Sequence, residues 1–180
     1  SIKKAAELAS GDIIIVTDAD CTFSYDWVRT MVDCFGNDKI KLVSGPVTYK
    51  KKRGLFNSFQ SLEFLSLVGS GAGSIGSGNS IFCNGANMAY RKDVFLELNT
   101  YDGDGAASGD DVFLLHQIKK HYPKGIIFIK DPRAIVSTIG SETYYEFYNQ
   151  RKRWTSKSTS YRDMATIYVS LLVFLTNWIQ

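Results

Sequence analysis

The sequence has no pair of cysteines at CxxC spacing. Its three, Cys21, Cys34 and Cys83, cannot all pair with one another, which reads as reduced, cytosolic thiols and excludes a disulfide frame or a zinc site. It offers no Ser/His/Asp or Cys/His set for covalent catalysis. The net charge of +3 is too small to argue for nucleic acid. No signal peptide opens the chain, because Lys3, Lys4 and Glu7 break up the first apolar residues, which look like the end of a helix. Residues 71–76 form a formal GxGxxG, but a helical pattern precedes it where a dinucleotide loop needs a strand, so the stretch reads as a loop or a surface approached by a ligand. What is present is ordinary for a globular protein: 180 residues, 44% hydrophobic and 22% charged, enough for one domain with a full core.

The most telling run is Asp12-Ile13-Ile14-Ile15-Val16-Thr17-Asp18-Ala19-Asp20. Four β-branched apolar residues predict a strand buried on both faces, and it stops at two carboxylates one residue apart. In an open α/β sheet, ligands bind beyond the carboxyl ends of the strands. Asp18 and Asp20 would then face a site as hard oxygen donors suited to Mg²⁺ or Mn²⁺, although a plain turn after a strand also uses Asp.

Trp27, Met31 and Phe35 recur at helical spacing behind a cap at Ser24 or Asp26, and Gly36 marks the stop. Residues 40–43 predict a second strand, and 47–49 a possible continuation. Strand, helix and strand together give a βαβ unit and a parallel sheet. Lys50, Lys51, Lys52 and Arg53 form a charge run that reads as a solvated loop or a phosphate-binding patch. Leu55, Phe59, Leu62, Phe64 and Leu65 predict a core-facing helix over 55–68, followed by a glycine-rich loop over 69–85.

Residues 81–83 read as a short strand, 84–87 as a turn, 88–91 as extended, 93–99 as a helix and 101–109 as loop. Asp110 and Asp111 open a helix that Pro123 ends, a position where carboxylates also simply stabilise the helix dipole. Strands follow over 126–130 and 134–137. Thr143 and Glu146 have capping-box spacing, and on the helix they begin, Gln150, Arg153 and Trp154 share one face. An amide, a guanidinium and an indole together suit a diphosphate and a sugar ring. Residues 164–179 are apolar but shorter than the roughly 20 residues that cross a bilayer, and a basic cluster from Arg151 to Arg162 precedes them. They read as an interfacial or truncated transmembrane segment, with a helix packed on the core as the alternative.

The ordered set Thr17-Asp18-Ala19-Asp20, Gly109-Asp110-Asp111 and Gln150-Arg151-Lys152-Arg153-Trp154 resembles the processive-type inverting glycosyltransferases of family 2, the group of cellulose, chitin and hyaluronan synthases. The resemblance implies an α/β, partial GT-A fold with a mixed, mainly parallel sheet flanked by helices. Residues 1–163 would form the later part of the catalytic domain and 164–180 the apolar segment. Only 17 residues precede Asp18, so the resemblance also implies that the nucleotide-binding strands are missing and that the chain by itself is inactive.

Carried over by motif, Asp18 and Asp20 would hold Mg²⁺ or Mn²⁺, and Asp111 would be the general base. Asp110 stands where the family has Glu. Gln150 and Arg153 would bind the leaving diphosphate and Trp154 would border the acceptor, with Cys83, Asn84 and Gly85 as further acceptor-lining residues. The implied partners are a nucleotide-diphosphate sugar, UDP-linked by preference, a saccharide or lipid-linked acceptor, and a membrane approached from its cytoplasmic face. The implied role is polysaccharide biosynthesis. Two alternatives compete. Asp18-Ala19-Asp20-Cys21-Thr22 also fits the DxDxT of haloacid-dehalogenase-type phosphatases, although their later acids follow a buried strand and they have no use for QxxRW. A non-catalytic domain that keeps the glycosyltransferase fold is the other.

Overall fold

The computed structural model describes residues 2–98 and 110–158, apart from the side chains of residues 2, 3, 110 and 156–158. Two compact units make up the chain, residues 1–140 and 141–180. The expected loop over 101–109 and the apolar segment over 164–180 lie outside the described residues.

The first unit opens with helix α1 (Ile2–Leu8) and strand β1 (Ile13–Val16), followed by β2 (Thr22–Phe23) and α2 (Trp27–Asp33), which tightens into a 3-10 turn at Cys34–Gly36. Strands β3 (Leu42–Ser44) and β4 (Val47–Tyr49) lead to the long helix α3 (Leu55–Gly76). A 3-10 turn at Gly85–Asn87 runs directly into β5 (Met88–Arg91) and α4 (Lys92–Glu97). Helix α5 (Asp110–His121), β6 (Ile126–Phe128), a 3-10 turn at Pro132–Ala134 and β7 (Val136–Thr138) complete it. The second unit contributes α6 (Tyr144–Ser158).

The main sheet has the order β1-β5-β3-β6. Strands β1, β3 and β6 point the same way, so the parallel relation expected of β1 and β3 holds, but β5 is inserted antiparallel between them. Val16 and Ser44 both lie opposite Met88, and Ser44 opposite Phe128, which puts the carboxyl ends of β1, β3 and β6 at one edge beside the start of β5. The two faces of the sheet carry separate cores. Leu42, Tyr90, Phe95, Leu115 and Ile118 fill one, and Trp27, Met31, Val43, Ala89 and Val136 the other.

Strand β1 is half-buried rather than fully buried. Its alternate residues do reach both cores, Ile14 and Val16 one and Ile13 and Ile15 the other, but it pairs on one side only within the described sheet. Strand β4 does not continue β3. The Gly45-Pro46 corner carries the chain into a second sheet of order β2-β7-β4, in which β4 runs parallel to β7. Residues 81–83 form no strand. Asp26 precedes α2 without a side-chain cap bond, and Ser24 instead donates to the Arg133 carbonyl at 2.7 Å.

The largest departure from sequence pattern is α3, which continues through the glycines to Gly76. Glycine costs a helix about 1 kcal/mol per position, but packing decides here. Phe64, Val68, Gly71 and Ile75 are buried at helical spacing, and Gly71 admits the Phe82 ring, whose nearest atoms would lie 3.2 Å from an added Cβ. Ser66, Ser70 and Ser74 donate back to carbonyls of the preceding turn. The helix ends where Gly78 takes φ of 78° and donates to the Ile75 carbonyl. Tyr49 stacks on Phe64 with centroids 4.4 Å apart, fixing α3 to β4. Leu55, Phe59, Leu62 and Leu65, expected in the core, face outward.

Asn87 ties these parts together. Fully buried, it donates through Nδ2 to the carbonyls of Pro46 (2.8 Å) and Ala134 (2.7 Å), and its Oδ1 accepts from Trp27 Nε1 at 3.1 Å. The Gly45 N–H donates to the Asn87 carbonyl at 2.9 Å, and a Cβ on Gly45 would lie 2.6 Å from Asn87 Cγ. Replacing Asn87 with alanine strands an indole N–H and two carbonyls, so Asn87→Ala is expected to lower stability by about 3 kcal/mol or more in urea denaturation. Gly45→Ala should cost about 2 kcal/mol alone and distinctly less in the Asn87→Ala background, because the colliding carboxamide is then gone.

Near the Ala134 end, Asp131 accepts from Arg133 Nη2 (2.7 Å), Nε (3.1 Å) and backbone N (2.8 Å). Those hydrogen bonds hold its carboxyl down to about 2. A depressed carboxyl stabilises the fold above its ordinary value and loses that contribution as pH falls through the folded one. The difference in melting temperature between the parent and Asp131→Asn should therefore be present at about pH 6 and close as pH falls from about 4 toward 2.

Candidate active site

Asp18 and Asp20 leave the carboxyl end of β1 in the turn that leads to β2, where the Cys21 N–H donates to the Asp18 carbonyl at 3.1 Å. Both carboxylates are exposed. One oxygen from each and Cys21 Sγ lie within 4.8 Å of one another. Thr138 Oγ1, at the end of β7, donates to Asp20 Oδ2 at 2.8 Å, and Cys21 Sγ approaches Oδ1 at 3.9 Å. One face of Asp20 is thus oriented from a strand 118 residues away in sequence. Two exposed carboxylates one residue apart are hard oxygen donors of the kind that fit a divalent cation which also takes phosphate oxygens. The donor set agrees with the expected Mg²⁺ or Mn²⁺ site, with Cys21 as a third, softer neighbour.

Asp111 stands in the first turn of α5, and its carboxylate is held from two sides. Oδ2 accepts from the Gly85 N–H at 2.9 Å, and Oδ1 from the Val112 N–H at 3.0 Å. The same turn is docked by Cys83, whose Sγ donates to the Asp111 carbonyl at 3.6 Å. One turn further on, His116 Nε2 meets the Ile81 carbonyl at 2.9 Å. Asn84 Oδ1 caps the 3-10 turn by accepting from the Ala86 N–H at 3.0 Å. Cys83 is fully buried, and burial first, then the charge of Asp111, pushes its thiol well above its ordinary range. It acts as a neutral packing group with a weak donor, and no nucleophile.

Gly85 leaves little room for a side chain, since a Cβ would lie 3.0 Å from Asp111 Oδ2 and would push the carboxylate from its place. Because Gly85–Asn87 runs directly into β5 at Met88, opposite Val16, the segment that grips Asp111 emerges at the same edge of the sheet as Asp18.

The structure thus brings Cys83, Asn84 and Gly85 together with Asp111, and Asp18 together with Asp20. Asp110 opens α5, and its side chain is outside the described residues. Gln150, Arg153 and Trp154 lie on α6 in the second unit, and α6 carries the expected capping box: Glu146 Oε2 accepts from the N–H groups of Glu142 and Thr143, and the Glu146 N–H donates to Thr143 Oγ1 at 3.2 Å. Within that helix Arg153 is exposed and Trp154 half-buried. Arg151, placed by the sequence only in the basic cluster, stacks 4.3 Å from both the Phe147 and Trp154 rings and donates to Gln150 Oε1. Sequence reasoning also missed Thr138 and Cys21. Thr138 had one available signal, a hydroxyl at the end of a predicted strand.

This fold is that of the GT-A glycosyltransferases. A mannosyltransferase from Pyrobaculum calidifontis, PcManGT, solved in complex with GDP-Man and Mn²⁺, superposes with a TM-score of 0.50 at 18% identity, over 83% of this chain and 38% of that one. Glucosyl-3-phosphoglycerate synthase from Mycobacterium tuberculosis, solved with Mn²⁺, UDP-glucose and glycerol 3-phosphate, gives 0.46 at 16% identity, over 82% of this chain and 48% of that one. The chain belongs to glycosyl transferase family group 2, whose model matches residues 13–179. Among curated proteins, the glucosyl-dolichyl phosphate glucuronosyltransferase of Haloferax volcanii is 27% identical over 169 residues, covering 89% of this chain and 54% of that protein. The chain thus spans about half the length of the curated relative it matches. Family membership displaces the phosphatase alternative, and the placement of Asp111 in a helical turn is consistent with that.

The Thr138 hydroxyl gives a local test. Thr138→Val keeps the shape and removes the donor to Asp20, so Mn²⁺ affinity measured by calorimetry should fall about three- to tenfold while the melting temperature changes little.

Proposed function

We propose that this protein transfers a sugar from a nucleotide-diphosphate sugar to an acceptor hydroxyl with inversion at the anomeric carbon, Asp111 serving as the general base. The observation that carries the reading is the shared edge: the acid pair leaves β1 there, and the Gly85 turn that grips Asp111 enters β5 there. Asp18 and Asp20 would hold Mg²⁺ or Mn²⁺, which when bound offsets the charge developing on the leaving diphosphate. The Asp111 carboxylate, aimed by the Gly85 and Val112 N–H groups, takes the acceptor proton as the acceptor oxygen bonds to the anomeric carbon and the bond to the diphosphate breaks. Gln150 and Arg153 bind the departing diphosphate, Trp154 borders the acceptor, Asp110 binds substrate, and Asn84 and Gly85 line the acceptor side, with the buried Cys83 packed behind them.

A lipid-linked acceptor is favoured over a growing polymer. The dolichyl phosphate named for the Haloferax volcanii relative supports this, as does the apolar stretch over 164–179, which would place the site at the cytoplasmic face of a membrane. Mn²⁺ in the PcManGT complex supports the choice of a divalent ion.

Transfer of radiolabelled sugar by the protein in its membranes provides the test. Asp111→Asn is expected to lower kcat at least about 100-fold with little change in the KM for donor, since it removes the base and leaves the metal ligands in place. Equal rates for the two proteins would remove Asp111 from the role. In the same membranes, Asp18→Asn combined with Asp20→Asn should abolish Mn²⁺-dependent transfer.

A further inference from the structure

We propose that the outward face of α3, with the basic run that enters it, is an interfacial docking element for an anionic lipid surface. The helix has 22 residues and a single charged one, Glu63. Leu55, Phe59 and Leu62 fall on one line along its axis, with Leu65 beside them, and they are 93%, 54%, 69% and 62% exposed. The line continues through exposed Ser66, Gly69 and Gly73, so a face about 27 Å long carries no charge at its centre. The opposite face, Phe64, Val68, Gly71 and Ile75, already packs on the core. A surface helix ordinarily turns charged residues outward, and one apolar on both faces calls for a cover on the second. Among the described residues, no helix is long and apolar enough to cross a membrane, so α3 is suited to lying in an interface.

Charge complementarity chooses the occupant. Lys50, Lys51, Lys52 and Arg53 are consecutive, exposed, and fixed to the first turn of α3. Gly54 takes φ of 118° at the joint, Asn57 Nδ2 donates to the Arg53 carbonyl at 2.9 Å, and the Ser58 N–H donates to the Gly54 carbonyl at 3.0 Å. Four cations at the head of an uncharged stripe match anionic headgroups above an acyl layer. A second copy of the chain paired through α3 would bring no opposite charge of its own to either basic run beyond Glu63, the one charged residue of the helix.

The run also begins beside the acid pair. The Lys50 N–H donates to the Thr138 carbonyl at 2.9 Å, and the Thr138 hydroxyl orients Asp20. Docking itself does not require the transferase reading. Its consequence, presentation of the Asp18/Asp20 edge to a lipid-borne acceptor, rests on that reading, and vesicle binding tests the docking alone.

The experiment is co-flotation of the chain with phosphatidylcholine vesicles, with and without about 30% phosphatidylserine. Affinity is expected to be at least about tenfold higher on the anionic vesicles and to fall severalfold as salt rises from about 0.1 to 0.5 M. Replacing Lys50, Lys51, Lys52 and Arg53 together with glutamine should reduce it at least about tenfold, and so should Phe59→Ser with Leu62→Ser, both folded by circular dichroism. Equal binding to neutral and anionic vesicles would overturn the proposal. So would variants that bind like the parent, which would assign attachment to another segment such as 164–180. A concentration-dependent dimer that Leu62→Ser abolishes while vesicle binding persists would assign the face to a second copy and overturn it as well. If a multiple variant fails to fold, a nitroxide on Leu62→Cys, with Cys21 and Cys34 replaced by serine, decides. Immersion in the acyl layer supports docking, and aqueous accessibility unchanged by vesicles overturns it.

Discussion

A single buried carboxamide sets the frame of the first unit. Asn87 has two donors and one carbonyl oxygen, and around it stand two carbonyls, from Pro46 and Ala134, and one indole N–H from Trp27. Only one orientation of the amide satisfies all three, so the group accepts no slack in any of them. Those three partners belong to the corner between the two sheets, to the turn before β7 and to α2. Asn87 itself is the last residue before β5, the strand inserted between β1 and β3. Unmaking any one contact leaves a polar group buried without a partner, which costs more than a typical hydrogen bond contributes.

The candidate site follows from that frame. Because Asn87 holds the start of β5 at the carboxyl edge of the sheet, the residues just before it, Cys83 to Gly85, emerge at the same edge as the Asp18/Asp20 turn. Helix α5 then docks on them through three groups of different chemistry: the Gly85 N–H on the Asp111 carboxylate, the Cys83 thiol on the Asp111 carbonyl, and His116 against the Ile81 carbonyl. Two carboxylates of the site are aimed by neighbours distant in sequence, Asp111 by Gly85 and Asp20 by Thr138. Both aiming groups stand on short ordered segments. That arrangement suits chemistry in which charge placement matters more than side-chain reach.

Much of this was legible in the sequence. The apolar run of β1 ending in an acid pair, the amphipathic α5 with acids in its first turn, and the capping box of α6 all formed as their patterns predict, because each is decided within one or two turns of chain. The errors have a common physical origin. Glycine's low helix propensity argued for a loop after residue 68, but burial of Phe64, Val68, Gly71 and Ile75 outweighed it. The leucine stripe of α3 was assigned to the core because apolar periodicity locates a face and says nothing about what covers it.

The strand-and-helix pattern by itself determined an α/β sheet with hard oxygen donors after the first strand, and motif order, through its resemblance to family 2 glycosyltransferases, told which further chemistry to look for: the acids at a helix start and the QxxRW helix. Those features are local, and a local pattern survives any arrangement of the rest. Only the tertiary structure decided that β5 separates β1 from β3, that Gly85 and Asp111 meet, that Thr138 reaches Asp20, and that α3 turns its leucines outward. Each of these is a contact between segments far apart in sequence, selected by which packing buries the most apolar surface while leaving the fewest polar groups unpaired.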